Sequence, residues 1–267
     1  MQKVIVVGNS ASGIDISAQV STVCKLPVVV SEKATSSKPS NDDITWAEHR
    51  PEIVEFMPAG RQVRFSNGDV ESDVDYVLFC TGYFYSFPFL RTLSPPVVTD
   101  GSIAHHLYQH MLYIPDPTLA FTGIPQRIVP FPIAEAQTAW IARLWAGRLP
   151  LASRSQMRDW ETQTLEAHGK GKALHVLAFP KDQEYINMLY GQSMAAEKRA
   201  GLENDGHGKE PPFWGEEKGW TRERFPLIKL ASRKLGDDRR LVTSLKQLGF
   251  DYAAWRTDQV AEVSTAA

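Results

Sequence analysis

Cysteine is almost missing from these 267 residues: only Cys24 and Cys80 occur. Both sit in apolar surroundings, the usage expected of reduced core thiols in an intracellular protein rather than of a disulfide framework. An excess of charge of one sign is missing too. Lys and Arg number 29 against 31 Asp and Glu, a formal net charge of -2, so nothing suggests nucleic acid or an anionic membrane as partner. No apolar run approaches the roughly 18 residues that a membrane span needs. The N-terminus runs straight into a strand pattern without a signal peptide, and Thr257 to Ala267 reads as a small, polar, loose tail. A cytoplasmic location is expected. What is present is a globular mixture, 43% hydrophobic and 22% charged, long enough for one large domain or two small ones.

Lys3 to Val7 is a β-branched run followed at once by Gly8, the pattern of a buried parallel strand. Ser12 to Val23 suits a short helix, and Pro27 to Val30 a second buried strand. Residues 3–31 therefore read as one β-α-β unit. Thr35 to Asn41 is polar and reads as a loop. Three strands follow, at Ile53 to Met57, Gln62 to Phe65 and Val74 to Phe79, with Pro58-Ala59-Gly60 and Asn67-Gly68 as turns. The last strand is apolar throughout, which places it at the sheet centre, and it ends at Thr81-Gly82-Tyr83. Beyond a Pro-rich connection, Thr118 to Thr122 reads as another buried strand. Ala134 to Trp145 reads as a helix with Ile133, Ala136, Ile141, Leu144 and Trp145 on one side. Further helices are expected over 153–167, over 182–200 with Asp182 as N-cap, and over Arg239 to Leu248. Gly201 to Gly219 reads as a loop.

Gly8-Asn9-Ser10-Ala11-Ser12-Gly13 joins the first strand to the first helix. A nucleotide pyrophosphate needs this arrangement. Gly8 permits the tight turn, the helix N-terminus offers free N–H groups and partial positive charge, and Gly13 lets the helix pack close to the strand. Ser10 stands where a second glycine is usual, and is small enough for the backbone to approach a phosphate. The choice of nucleotide rests on the second strand's end, where an acid binds a ribose 2′-hydroxyl and a base accepts a 2′-phosphate. Here the residues are Ser31-Glu32-Lys33, one of each charge. Ser31 and Lys33 can hold a phosphate with Glu32 turned away, or Glu32 can take the ribose.

Taken together, the glycine turn, the three-strand excursion and Cys80-Thr81-Gly82-Tyr83 resemble the flavin-containing monooxygenase family, of the N,N-dimethylaniline monooxygenase type. Phe87-Pro88-Phe89-Leu90, Leu107-Tyr108-Gln109-His110, Asp116 to Phe121 with Gly123, Pro130-Phe131-Pro132, Glu135-x-Gln137 and Gly147-x-Leu149-Pro150 extend the likeness to about residues 3–160. The resemblance implies an α/β fold: a Rossmann-like NADPH-binding domain over residues 1–90, and over 91–267 the C-terminal part of an FAD-binding domain, as in two-dinucleotide-binding flavoproteins. It implies NADPH and FAD as cofactors. It also implies molecular oxygen and a small nucleophilic N- or S-containing substrate as partners, and admits a homodimer. In that family NADPH reduces the flavin, and the reduced flavin uses oxygen to oxygenate the substrate. Cofactor-binding residues carried over are Gly8, Asn9, Ser10, Ala11, Ser12, Gly13, Lys33, Thr81 and Gly82, and the usual basic strand end favours Lys33 and NADPH.

The family's first glycine-rich turn, for FAD, has no counterpart here. The chain is thus expected to be a fragment, inactive alone, with a catalytically silent NADP-binding remnant as the alternative. Baeyer–Villiger oxygenation uses the same parts and stays open. No catalytic side chain stands out. His106 and His110 have helical i, i+4 spacing but no carboxylate or Cys partner, so a structural role is expected and no metal. Trp140 and Trp145 read as core, and Lys229 to Arg240 as a solvated helix face.

Overall fold

The β-branched run Lys3–Val7 forms β1, and its alternation sends side chains to two opposite cores. Val4 and Val6 pack with Cys24, Val28 and Val30 on one side. Ile5 packs with Val29, Val63, Phe65 and Val74 on the other. The structure, a computed structural model, describes residues 1–33, 45–169 and 171–265, so the loop expected at Thr35 to Asn41 lies outside the described residues. The chain divides into two units, Met1–Phe84 and Tyr85–Ala267.

In the first unit, helix α1 (Ala11–Val20) connects β1 to β2 (Lys25–Ser31). β1 and β2 pair in parallel, with Val6 opposite Val30. A strand the sequence reading missed, β3 (Ala47–Arg50), continues the sheet in parallel beside β2. Its residues Ala-Glu-His-Arg carry no apolar run, because it lies at the sheet's end with only half-buried faces. Strands β4 (Ile53–Met57), β5 (Gln62–Phe65) and the two-residue β6 (Val70–Glu71) form a separate antiparallel sheet. Gly68, at φ +91°, makes the β5–β6 turn. The chain then returns as β7 (Tyr76–Phe79), parallel to β1.

The parallel order is β3-β2-β1-β7, which corrects one expectation: β7 lies at the end of the sheet, not its centre. Its apolar run has a different cause. Leu78 serves one core and Val77 the other, while Tyr76 and Phe79 are exposed.

In the second unit, α2 (Pro130–Trp145) starts on a proline at its first turn, as fits a position whose N–H has no helical partner. Ile133, Ala136, Trp140, Ile141 and Leu144 are buried against Met157 of α3 (Arg154–His168) and Ile186 and Leu189 of α4 (Lys181–Met194). Trp145 departs from the expected core face. It is 55% exposed at the helix end, where its indole N–H donates to the Pro117 carbonyl at 2.9 Å. α4 begins at Lys181 with Pro180 in the N-cap position, so Asp182 is not the cap. Asp182 is instead fully buried, and accepts from Arg222 Nε at 2.6 Å.

Thr118 to Thr122 is not a strand. Asp116 Oδ1 accepts from both the N–H and the hydroxyl of Thr118, an Asx turn that bends the backbone. Only Ala120 makes a bridge, to Leu112 in the two-stranded ribbon of β8 (Leu107–Tyr108) and β9 (Leu112–Tyr113). The segment's polar backbone is satisfied within the chain: Tyr113 N–H donates to Leu119 O, and Phe121 N–H to Met111 O.

Helix α5 (Glu216–Glu223) starts inside the stretch read as loop, and α6 (Phe225–Lys234) follows it. Arg239 to Leu248 holds two 3-10 turns, at Gly236–Leu241 and Leu245–Leu248, rather than a helix. Gly249, at φ +85°, ends the second turn. The expected loose tail is largely helical, as α7 (Tyr252–Thr265). Among the described residues no helix is long and apolar enough to cross a membrane.

Candidate functional site

The turn from β1 into α1 is held by two glycines that no other residue can replace without movement. Gly8 has φ +102°, and a Cβ there would lie 2.5 Å from the Cys80 carbonyl oxygen. A Cβ on Gly13 would lie 1.9 Å from the Gly8 carbonyl oxygen. β1, α1 and the exit of β7 are therefore in backbone contact at one point. The Gly8 N–H donates to Ser31 O at 2.8 Å, and the Cys80 N–H to Val7 O at 2.7 Å, which ties the ends of β2 and β7 to the same turn.

Ser10 occupies the N-cap position of α1 and makes no side-chain cap bond, and the first turn carries no acidic residue. The positive end of the helix dipole thus has no carboxylate within its own first turn, although Glu32 and Glu52 line the cleft it opens on. Ser10, Ala11 and Ser12 are exposed, whereas Gly13 is buried under the turn.

A cleft of about 580 Å³ opens along the ends of β1, β2 and β7. Gly8, Asn9, Ser10, Lys33 and Thr81, all expected at a nucleotide site, line it together. Ala11, Ser12, Gly13 and Gly82 are not among the described residues that line it. Gly82 adopts φ +90° just past Thr81.

The end of β2 sorts its three polar residues. Ser31 belongs to the cleft lining but is fully buried, and its hydroxyl donates to Pro51 O at 2.9 Å. The Glu32 carboxylate is 13% exposed and lies 2.8 Å from His49 Nδ1. Lys33 is 85% exposed and stands 3.9 Å from Glu52, a distance at which a surface pair holds the ammonium only weakly. Among the described residues that line the cleft, Lys33 is the one cation.

Sequence reasoning missed Phe56 and Phe79, which also line the cleft. Their rings are 6.2 Å apart, tilted at 55°, and the residues are 50% and 65% exposed. The available signal was Phe79's place immediately before Cys80-Thr81-Gly82, at the end of a strand whose middle residues Val77 and Leu78 pack into the two cores.

The two histidines expected to be structural do not share a helix. His106 and His110 lie in a loop at φ +59° and +55°, not on a helix. His110 is buried with Nδ1 3.1 Å from Nδ1 of His175. His175 Nε2 lies 3.0 Å from Ala104 O, closer than the 3.2 Å to Ala104 N. We therefore assign the Nε2 proton to the bond with Ala104 O. His175 Nδ1 is then bare and accepts from His110 Nδ1–H, with both rings neutral. Burial, with the neighbouring His175 next, pulls His110 down to about 3. Burial likewise pulls His175 down to about 4, opposed by its bond to Ala104. Among the described residues no group of three His, Cys, Asp or Glu is placed to hold a metal. The Glu135-x-Gln137 motif also has a structural use. Gln137 is fully buried, accepting from Gly123 N–H and donating to the Tyr185 hydroxyl, which in turn donates to Gln109 O.

Comparison with known proteins agrees with this architecture. The profile of the family described as "Flavin-binding monooxygenase-like" matches residues 44–195, past the glycine turn. The chain is similar to the thiol-specific monooxygenase of Saccharomyces cerevisiae, 34% identical over 195 residues, which covers 70% of this chain and 43% of the relative. It is similar to the Arabidopsis thaliana flavin-containing monooxygenase FMO GS-OX-like 7, 36% identical over 165 residues, covering 59% of this chain and 34% of the relative. Among solved structures it resembles S-allyl-L-cysteine S-oxygenase from Allium sativum, with a TM-score of 0.67 at 26% identity, over 98% of this chain and 55% of that one. The chain spans less than half the length of those two sequence relatives. Its fold is the α/β two-dinucleotide-binding type of its structural neighbours, and it belongs to the flavin-binding monooxygenase-like family, whose members are flavin-dependent monooxygenases that use FAD and NADPH.

Proposed function

We propose that the cleft binds NADPH, with the pyrophosphate at Gly8 to Gly13 and the 2′-phosphate at Lys33. The observation that carries this reading is the glycine contact. Gly8 and Gly13 leave no room for a Cβ, so α1 presents its uncapped N-terminus directly beside the strand ends. Ser10 offers a hydroxyl and Asn9 an amide at the mouth of that turn, and Thr81 closes it from β7. With Glu32 committed to His49, the base rather than the acid meets the ribose. NADPH bound there supplies reducing equivalents; the protein's part is to hold and orient it.

The chain is, in this reading, the nicotinamide-binding portion of a flavin-dependent monooxygenase acting on a nucleophilic sulfur or nitrogen atom. Sulfur is favoured, since one relative is named a thiol-specific monooxygenase and one structural neighbour an S-oxygenase. These 267 residues hold one glycine-rich strand-turn-helix, and the ADP half of FAD needs another. The described residues therefore do not fit FAD by themselves. The free thiols Cys24 and Cys80 suit a reducing compartment such as the cytoplasm.

Two measurements test this. The purified chain should bind NADPH in a calorimetric titration, be colourless, and leave NADPH unoxidised in the presence of a sulfide. A stoichiometric flavin spectrum would overturn the reading of where flavin binds. Lys33→Ala should remove most of the preference for NADPH over NADH, a charge-assisted contact worth about 1.5–3 kcal/mol. A parent chain that prefers NADH would instead give Glu32 the ribose.

A further inference from the structure

We propose that Phe56 and Phe79 form an aromatic platform for the purine ring of the nucleotide, and so set the cleft's selectivity for an adenine base. The inference rests on the NADPH reading and adds to it a subsite for the part of the ligand that carries no charge. Two aromatic rings exposed side by side in one cleft offer an apolar surface on which a flat ring can lie. Both belong to the cleft that the glycine turn opens.

Their position selects the occupant. Phe79 pairs with Val7, the residue before Gly8, so its ring stands beside the turn assigned to the pyrophosphate. Phe56 lies on β4, four residues beyond Glu52, and Glu52 is 3.9 Å from Lys33. The platform is thus bounded by the pyrophosphate turn on one side and the cation assigned to the 2′-phosphate on the other. The group attached to that phosphorylated ribose is the adenine. The 6.2 Å spacing and 55° tilt leave the rings as a face and a wall rather than a closed stack, so a planar base can lie on one and abut the other.

The test uses the 267-residue chain with 2′,5′-ADP as the probe and NADPH as a second ligand. Phe79→Leu and Phe56→Leu should each weaken 2′,5′-ADP on the order of tenfold, while Phe79→Tyr stays near the parent. Circular dichroism checks that each variant is folded. Phe79→Trp adds a signal of its own, since its fluorescence should be quenched by 2′,5′-ADP and not by ribose 5-phosphate. If folded Leu variants bind 2′,5′-ADP as the parent does, or if the tryptophan is not quenched at saturation, the platform is wrong and the NADPH reading stands. A parent chain that binds neither 2′,5′-ADP nor NADPH overturns the reading beneath it as well.

Discussion

Helices α1 and α3 both begin with a serine in the N-cap position, and the two serines do opposite things. Ser153 accepts from the Gln156 N–H while the Gln156 side chain accepts from the Ser153 N–H, a reciprocal capping box. Ser10 makes no cap bond at all. The contrast extends through the two units. In Tyr85–Ala267, three buried polar pairs bond to each other: Gln137 with Tyr185, Asp182 with Arg222, His110 with His175. In Met1–Phe84, donors at the glycine turn and the Lys33 ammonium face an open cleft. A satisfied helix end contributes to the fold; an uncapped one beside strand ends is available to an anion. Each prediction below perturbs one side of that contrast and asks whether the other responds.

The largest effect is expected at Gly13. A single methyl group there would sit 1.9 Å from the Gly8 carbonyl oxygen, and backbone cannot yield as a side chain would. Gly13→Ala should abolish NADPH binding and cost about 3 kcal/mol or more in stability. Calorimetry and urea denaturation measure both. A Gly13→Ala chain with parental affinity would mean that the nucleotide does not use this turn.

Next comes the buried histidine pair. Both groups have folded values below the ordinary 6.5, at about 3 and about 4, so the folded chain holds them neutral where the unfolded chain protonates them. Their contribution is fully present above pH 6.5 and is lost as the pH falls toward 4, with a slope of up to about 1.4 kcal/mol per pH unit for each histidine. Urea midpoints at pH 7.5, 6 and 5 should fall steeply in the parent. The fall should be shallower in His110→Phe, which removes one titrating group. Equal slopes in the two proteins would show that acid acts elsewhere.

How much of this was legible in the sequence follows from what each signal depends on. The β1–α1–β2 unit and the glycine turn were readable because they are local: β-branched runs and two glycines at fixed spacing act on neighbours a few residues away. β3 was not readable, since an end strand with half-buried faces needs no apolar run. Thr118 to Thr122 misled for the converse reason. Phe121 is buried and Leu119 half-buried in the neighbouring core, and the Asx turn at Asp116 overrides the strand that their composition suggests. The roles of Ser31 and Glu32 depended on Pro51 and His49, 20 and 17 residues on, and no spacing rule connects them. Phe56 and Phe79 were hidden because exposure, not identity, distinguishes them from core.

The smallest effect is the sharpest test of the opening contrast, because it makes the same substitution at both serines. Ser153→Ala removes one half of a capping box, and loss of such a cap costs about 1 kcal/mol. Ser153 does not line the cleft, so NADPH affinity should not change. Ser10→Ala removes no cap bond, so stability should stay within about 0.5 kcal/mol of the parent. Ser10 does line the cleft at the helix N-terminus, where a bond from its hydroxyl to a phosphate oxygen would be charge-assisted, and its loss should weaken NADPH about tenfold. Urea denaturation and calorimetry on the two variants therefore give a crossed pattern: stability falls in one and affinity in the other. If Ser10→Ala instead loses about 1 kcal/mol of stability and keeps its affinity, Ser10 caps α1 as Ser153 caps α3, and the open end of α1 is not where the phosphate sits.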